Sequence, residues 1–172
     1  MKVSIISLML ITSMVNLNPP PTNKEINWAW LAGFIDGEGY IGITRQRKKE
    51  NRRQSASLIY HPSLIISNSN LKVLECIKKF IGYGCVHKQR SKPDQKPGFQ
   101  YKLAKMDNLD IVLRTVQPHL RIKQEQCEFL LNFIKLRKNA KKITGRGHRG
   151  ATSYTVEEEI YQKLLILNKR GI

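Results

Sequence analysis

Residues 28–39, WAWLAGFIDGEG, join an apolar run of helix length to small residues at a regular interval. Ala29, Gly33 and Gly37 are four positions apart, so a helix places them on one stripe. Glycine inside a helix costs about 0.5–1 kcal/mol relative to alanine, and small residues let another helix backbone approach closely. The sequence shows no second helix of this kind. The stripe therefore favours contact with its own copy across a two-fold axis, with packing against the chain's own sheet as the alternative.

Two carboxylates, Asp36 and Glu38, end this apolar segment. A two-fold contact would bring two Glu38 side chains together, which is repulsive unless a metal ion or a proton compensates. Divalent cations take oxygen ligands, and a pair of such ions suits phosphodiester hydrolysis because it activates water and stabilises the leaving oxygen. A plain D-G-E-G turn leading into a strand at Tyr40 is the alternative.

The charge balance of the chain favours a polyanionic partner. The formal net charge is +17, from 30 Lys and Arg against 13 Asp and Glu. Neutralising phosphates releases condensed counterions, so nucleic acid is the expected partner. A solvated basic surface or an anionic membrane surface are the alternatives.

Cysteine and histidine usage indicates a reducing compartment and no zinc site. The three cysteines include no C-x-x-C pair, and the four histidines lack ligand spacing. We therefore expect an intracellular, DNA-associated protein that is not secreted. The apolar segment after Lys2 resembles a signal peptide but has no clear cleavage site, so an appended element or an extended reading frame is favoured.

The length of 172 residues suits one domain. The NPPP run at 18–21 predicts a rigid linker, which separates an N-terminal extension over 1–22 from a single domain over 23–172. Within that domain, capping residues and 3.6-residue periodicity predict five helices. Their ranges are 23–36 after a Thr22–Glu25 capping box, 70–81, one from Asp107 or Asn108 to before Pro118, 122–138, and one from a Thr155–Glu158 capping box onward.

Period-2 patterns predict four strands. Their approximate ranges are 40–48, 55–67, 82–90 and 99–106. In the first strand, alternation predicts that Ile41 and Ile43 face the core and that Thr44 and Gln46 face outward. Pro62 argues for an edge position or a bulge within the second strand. The order of elements predicts an α+β fold, with the strands in antiparallel pairs and the helices on one face of the sheet.

The stretch LAGFIDGEG at 31–39 resembles the LAGLIDADG motif of homing endonucleases, with six of nine positions identical. Residues 118–134 resemble the family segment that enters a late helix with a central lysine, and LNKRG at 167–171 is also similar. The resemblance covers about residues 24–168. One motif in one chain resembles the single-motif, intron-encoded branch, and this implies an αββαββα fold with a curved antiparallel four-stranded sheet.

The resemblance also implies an activity: a homodimer that makes a double-strand break with short 3′ overhangs in a long, near-palindromic DNA site, such as a host allele that lacks the intron. The implied cofactor is Mg²⁺ or Mn²⁺. An RNA-splicing maturase, with intron RNA as partner, or a non-catalytic DNA- or RNA-binding protein of the same fold are alternatives, as is a plain basic RNA-binding protein.

Carried over residue by residue, the resemblance implies roles for several positions. Glu38 and the backbone carbonyl of Gly37 are the implied metal ligands, and Asp36 has a structural role in capping the turn. The implied catalytic residues are Glu38, Lys123 and Asn70. A solvated lysine at a helix start is the alternative for Lys123, and a helix cap is the alternative for Asn70.

DNA contacts are expected from the strands, because a two-stranded ribbon fits the major groove, and from basic loops that bind phosphates. Side-chain parity in the strand after 82 is open, with His87 or Lys88 and Gln89 or Arg90 facing the groove. The predicted DNA-binding residues are Thr44, Arg45, Gln46, Arg47, Lys48, Arg52, Arg53, Lys88, Arg90, Gln100, Lys102, Lys141, Lys142, Arg146 and Arg149. The predicted dimer-interface residues are Ala29, Ala32, Gly33, Asp36 and Gly37.

Overall fold

A computed structural model describes residues 26–48, 57–90, 96–140 and 154–169. The predicted N-terminal extension, its proline-rich linker and the Thr22–Glu25 capping box lie outside these residues. No helix of the described residues is long and apolar enough to cross a membrane.

The order of the described elements agrees with the sequence prediction. They are α1 (Trp28–Glu38), β1 (Gly39–Lys48), β2 (Ser57–Asn68), α2 (Leu71–Ile81), β3 (Cys85–Lys88), β4 (Phe99–Leu103), α3 (Met106–Val116), a 3-10 turn (Gln117–His119), α4 (Gln124–Asn139) and α5 (Tyr154–Leu167).

The four strands form one antiparallel sheet in the order β1-β2-β4-β3. Alternate residues of each strand face the helices. The apolar side chains of β1, β2 and β4 that are buried on this side are Ile41, Ile43, Tyr60, Leu64, Ile66, Tyr101 and Leu103. Side chains of all five helices join them in one core. The predicted fold, a four-stranded antiparallel sheet with helices on one face, is confirmed.

Helix periodicity selects the residues that pack on the sheet. Leu31 and Ile35 of α1 are fully buried, as are Leu74 and Ile77 of α2. Each such side chain contributes about 1.5–3 kcal/mol when removed from water. α1 and α2 are thereby held against the sheet, and the tip of α1 is held at the end of β1.

The bounds of α1 differ from the prediction at both ends. The helix begins at Trp28 because Asn27 is its N-cap, with Oδ1 accepting from the Trp30 N–H at 2.8 Å. Gly37 is helical, and Gly39 is already extended at φ −88°. A Cβ on Gly39 would lie 2.6 Å from the Ile35 carbonyl oxygen, so glycine permits this direct passage from helix to strand. The alternative of a plain D-G-E-G turn is therefore wrong, and neither Gly37 nor Gly39 has a positive φ.

Pro62 occupies a regular position of β2, directly opposite Ile43, and there is no bulge. β2 is an inner strand, but its pairing with β4 begins only at Leu64. On the side of β2 that faces β4, Pro62 therefore has no paired residue, and its missing N–H costs no strand hydrogen bond there. The predicted edge position is thus correct locally.

Two predicted helix caps are wrong. α3 begins after Lys105 without a side-chain cap, and Asp107 lies in its first turn. α5 already includes Thr155, and the Glu158 carboxylate binds Arg45 and Tyr60 rather than capping the helix. Both caps were inferred from local spacing, whereas contacts between distant segments decide where these acids point.

α5 covers the outer edge of β1, which would otherwise expose unpaired backbone groups. Just beyond the helix, Asn168 Nδ2 donates to the Ile41 carbonyl at 3.0 Å. Within the helix, Glu158 accepts from Arg45 at 2.6 Å and from the Tyr60 hydroxyl. These polar contacts hold the last described helix against the first strand.

A buried ion pair between α4 and α5 generates a stability prediction. Glu157 is 2% exposed, and Arg137 Nη2 donates to its Oε2 at 2.7 Å. Removing a counter-charge from a buried carboxylate costs about 3–5 kcal/mol. We expect Arg137→Ala to lower the free energy of unfolding in urea by that amount. Arg114→Ala, which removes an exposed partner of Asp110, is the control and should cost about 0–1 kcal/mol. Equal losses would contradict this account.

The pKa of the Glu158 carboxyl is lowered, chiefly by the hydrogen bond from Tyr60 and then by those from Gln162 and Arg45. A carboxyl whose folded pKa lies below its unfolded pKa stabilises the protein above the unfolded value, and this stabilisation is lost as pH falls through the folded pKa. Between about pH 6 and about pH 3, wild type should therefore lose more unfolding free energy than Glu158→Gln. Glu159→Gln should follow the wild-type curve, and parallel curves for all three proteins would refute the prediction.

Candidate nucleic-acid interface and catalytic centre

One face of the sheet carries none of the described helices and is lined by alternate residues of all four strands. The register places Thr44 opposite His61, Ile65 opposite Lys102, and His87 opposite Gln100. The four described strands contain no Asp or Glu. We call this surface the open face, and a polyanion would meet no strand carboxylate there.

Four residues predicted to contact DNA lie on the open face, as strand alternation requires: Thr44, Gln46, Gln100 and Lys102. Thr44 and Gln46 are exposed, whereas Gln100 and Lys102 are half-buried. Glutamine can bind adenine through two hydrogen bonds in the major groove, and lysine can bind guanine. Their position is thus established, and their role in DNA binding stays a prediction.

Arg45 does not lie on the open face, and its prediction as a DNA contact is corrected. It shares the parity of Ile41 and Ile43 and binds Glu158 at 2.6 Å on the helix side. Its guanidinium also lies 5.0 Å from the centre of the Tyr161 ring. The hydrogen bond to Glu158 raises the pKa of Arg45, so this cation stabilises the fold.

Strand parity corrects further predictions. Arg47 is opposite Leu58 and so shares the side of Arg45, although it is exposed. Lys88 is opposite Phe99, on the side away from the open face, which settles the parity question in favour of His87. Arg90 lies beyond β3 in a segment without strand structure, where it is exposed.

Several residues of the open face were missed by sequence reasoning. β2 contributes His61, Ile65 and Ser67, because it is an inner strand with both neighbours paired. The amides of Gln89 and Gln100 each donate to Ser67 Oγ at 3.4 Å. Alternation of β2 could have identified these side chains, but the sequence does not show that β2 lies at the centre of the face.

The remaining predicted phosphate contacts cannot be placed. Six of them lie outside the described residues: Arg52, Arg53, Lys141, Lys142, Arg146 and Arg149. For Lys48, the backbone is described as the end of β1 but the side chain is not.

At the tip of α1, the two acids point in different directions. The Asp36 carboxylate is 8% exposed and accepts from the backbone N–H groups of Arg121 at 2.8 Å and Lys123 at 2.9 Å. Glu38 is exposed and makes no hydrogen bond or ion pair within the described part of the chain. Asp36 therefore has the predicted structural role, but it caps the segment at 121–123 rather than its own turn.

Lys123 lies beside this tip. Its ammonium donates to the backbone carbonyl of Asp36 in the last turn of α1. A cation is favourable at the C-terminal end of a helix, where carbonyl oxygens lack intrahelical partners. Two residues that are far apart in sequence, Glu38 and Lys123, thus lie at the same end of α1.

The small-residue stripe of α1 is exposed at all three positions: Ala29, Gly33 and Gly37. A Cβ on either glycine would meet no atom within 4 Å. The alternative that these glycines pack against the chain's own sheet is therefore wrong. Two other predicted interface residues are corrected, because Ala32 is fully buried in the chain's own core and Asp36 points inward.

Asn70 is the N-cap of α2, with Oδ1 accepting from the Val73 N–H at 3.4 Å. This geometry is the helix-cap alternative. Asn70 comes shortly after the end of β2, and Ile66 near the end of β2 pairs with Gly39 at the start of β1. Asn70 therefore lies toward the end of the sheet where α1 meets β1. Its catalytic role stays a prediction.

One chain offers only part of a metal site. Among the described residues, no group of three or more His, Cys, Asp or Glu side chains could hold a metal ion. The donors at the tip of α1 are the Glu38 carboxylate and the carbonyls of the helix end. These are hard oxygen donors of the kind that Mg²⁺ and Mn²⁺ prefer, so their chemistry fits ligands of such an ion.

Comparison with known proteins agrees with this geometry. Residues 31–114 match the LAGLIDADG endonuclease family. The DNA endonuclease I-CvuI of Chlorella vulgaris is 27% identical over 126 residues, which cover 70% of this chain and 73% of I-CvuI. A crystal structure of I-CvuI with the I-CreI target has a TM-score of 0.62 at 23% identity, covering 84% of this chain and 83% of that one.

A second structure, the archaeal intron-encoded homing endonuclease I-Vdi141I in complex with DNA, has a TM-score of 0.64 at 16% identity. The match covers 84% of this chain and 86% of that one. At these identities the structural matches show a common fold. Together with the sequence match over residues 31–114, they confirm the predicted resemblance: the chain is similar to the LAGLIDADG homing endonucleases in sequence and in fold.

Proposed function

We propose that the protein is a site-specific DNA endonuclease that acts as a homodimer and depends on Mg²⁺ or Mn²⁺. The observation that carries this proposal is the tip of α1. There Glu38 is exposed and has no partner among the described residues, and it lies at the same end of α1 as the Lys123 ammonium, next to an exposed small-residue stripe. The relative I-CvuI has been crystallised with DNA in the presence of Mg and of Ca, which supports the choice of substrate and cofactor.

The open face is the proposed DNA-binding surface. Its strands carry no carboxylate, and Lys102, Gln46 and Gln100 offer cationic and amide groups to base edges. The net charge of +17 supplies the sequence-independent part of the affinity. No helix among the described residues lies on this side, which leaves room for a duplex along the strands.

Glu38 and the Gly37 carbonyl would hold the divalent cation. When bound, such an ion lowers the pKa of water and stabilises the leaving oxygen of a phosphodiester. Lys123, held at the Asp36 carbonyl, places a positive charge where a scissile phosphate would develop negative charge. Asn70 would orient water at this end of the sheet.

A second copy completes the centre. Each chain contributes one exposed Glu38, and the stripe through Gly33 and Gly37 offers a close approach for a two-fold related α1. Two such centres on one axis cut both strands of a near-palindromic site, and we propose short 3′ overhangs as the product. A host allele that lacks the intron is the expected target.

The proposal is tested with Glu38→Gln on a duplex that joins the two exons flanking the intron in which the reading frame lies. If the frame has no intron around it, a randomised plasmid library replaces this duplex. In Mg²⁺, wild type should produce a double-strand break. Glu38→Gln should lower the cleavage rate by about 10²-fold or more, because it removes a metal ligand. Its affinity for the same duplex should stay within about threefold of wild type.

Glu75→Gln is the matched control, since it makes the same charge change at an exposed position on α2. It should cleave like wild type. Normal cleavage by Glu38→Gln would overturn the assignment. A wild-type protein that leaves DNA intact but promotes splicing of intron RNA would replace it with the maturase alternative.

The dimer has a separate test at Gly33. Nothing lies within 4 Å of a Cβ at this position, so Gly33→Leu should leave the monomer fold and its urea unfolding unchanged or slightly more stable. The added side chain should block the close approach of two α1 helices. In sedimentation, wild type should have twice the chain mass of 19.9 kDa and Gly33→Leu the mass of one chain. Lys72→Leu, at an exposed position of α2, should remain dimeric, and a dimeric Gly33→Leu would contradict the interface.

A further inference from the structure

A buried carboxylate ties the end of α1 to the segment that carries Lys123. Both oxygens of Asp36 are used: Oδ2 accepts from the Arg121 N–H and Oδ1 from the Lys123 N–H, at 2.8 and 2.9 Å. These contacts join residues 85 and 87 positions apart. Hydrogen bonds to a charged acceptor are among the stronger ones in proteins, so this connection is a firm one.

The same two residues meet a second time. The Lys123 side chain returns to the Asp36 backbone carbonyl, so Asp36 contacts both the N–H and the ammonium of Lys123. Lys123 is the residue immediately before α4, and its backbone is not helical. Its side chain makes no capping hydrogen bond to α4. Asp36 thus defines where this segment lies.

Position 36 requires a carboxylate because two backbone N–H groups each need an acceptor oxygen there, and this requirement is separate from metal binding. Asparagine has a single carbonyl oxygen, and its NH₂ group would face one of the two backbone N–H donors. Successive helical residues are about 100° apart, so Glu38 projects about 200° away from Asp36. The two acids of the motif therefore have separate tasks, Asp36 toward the protein and Glu38 toward solvent.

We propose that Asp36 is a positioning residue that holds the Lys123 ammonium in place beside Glu38. This inference rests on the proposed function, in which Lys123 acts on the scissile phosphate. Displacing a catalytic group by about 1 Å can cost about 10²-fold in rate. Losing either backbone contact frees the segment at 121–123 to shift relative to α1.

The test uses Asp36→Asn in the full chain, with single-turnover cleavage at saturating protein and the same duplex. The cleavage rate should fall by about 10²-fold, while DNA affinity stays within about threefold. Because Asp36 acts through Lys123, the double variant Asp36→Asn with Lys123→Met should be no slower than Lys123→Met alone. Losses that multiply would overturn the coupling.

Asp110→Asn is the matched control for stability. Asp110 is a largely buried carboxylate that accepts from Arg114 at 2.8 Å and Lys138 at 2.7 Å, away from the tip of α1. It should lose unfolding free energy with no loss of cleavage rate. A rate loss in Asp110→Asn matching that of Asp36→Asn would reduce Asp36 to a general stabiliser.

Hydrogen exchange provides a readout that needs no DNA. In Asp36→Asn the amides of Arg121 and Lys123 should exchange at least about tenfold faster than in wild type, relative to the core amides of α4. Unchanged exchange would overturn the proposed contact. A wild-type protein that cleaves no DNA would overturn the proposed function and, with it, the positioning role of Asp36. Equal cleavage by wild type and Asp36→Asn would overturn only the positioning role.

Discussion

The direct passage from α1 into β1 at Gly39 is the constraint on which the rest of the site depends. No residue separates the last helical position, Glu38, from the first strand position. A side chain on Gly39 would collide with the Ile35 carbonyl, so only glycine allows this junction without a shift. Because α1 is anchored by Leu31 and Ile35 in the core, the junction holds the exposed carboxylate at the end of the sheet.

The distribution of charge follows from the same arrangement. Every Asp and Glu among the described residues lies in a helix, whereas the four strands carry only neutral and basic side chains. Acids on the helices bind Arg45, Arg137 and Lys138, and so stabilise the fold. The open face carries amides, imidazoles and Lys102, and Glu38 is the acid at the α1–β1 junction that remains exposed.

Much of the architecture was predictable because it depends on local rules. Alternation in β1 identified Ile41 and Ile43 as core residues and Thr44 and Gln46 as outward residues, and both statements agree with the structure. Helix bounds were less predictable, since Asn27 and Thr22 are both acceptable caps by composition. The role of Arg45 was missed because a dense basic run indicates charge but not the face on which each cation lies.

By itself, the sequence determined the periodicity of the core, the excess of positive charge, the small-residue stripe and the position of Glu38 after it. These are properties of residues near one another in the chain. Only the tertiary structure decided that Asp36 binds the segment at 121–123, that β2 lies inside the sheet, and that Arg45 binds Glu158, 113 positions away. Such contacts depend on which surfaces meet when the core closes, and no local pattern specifies that.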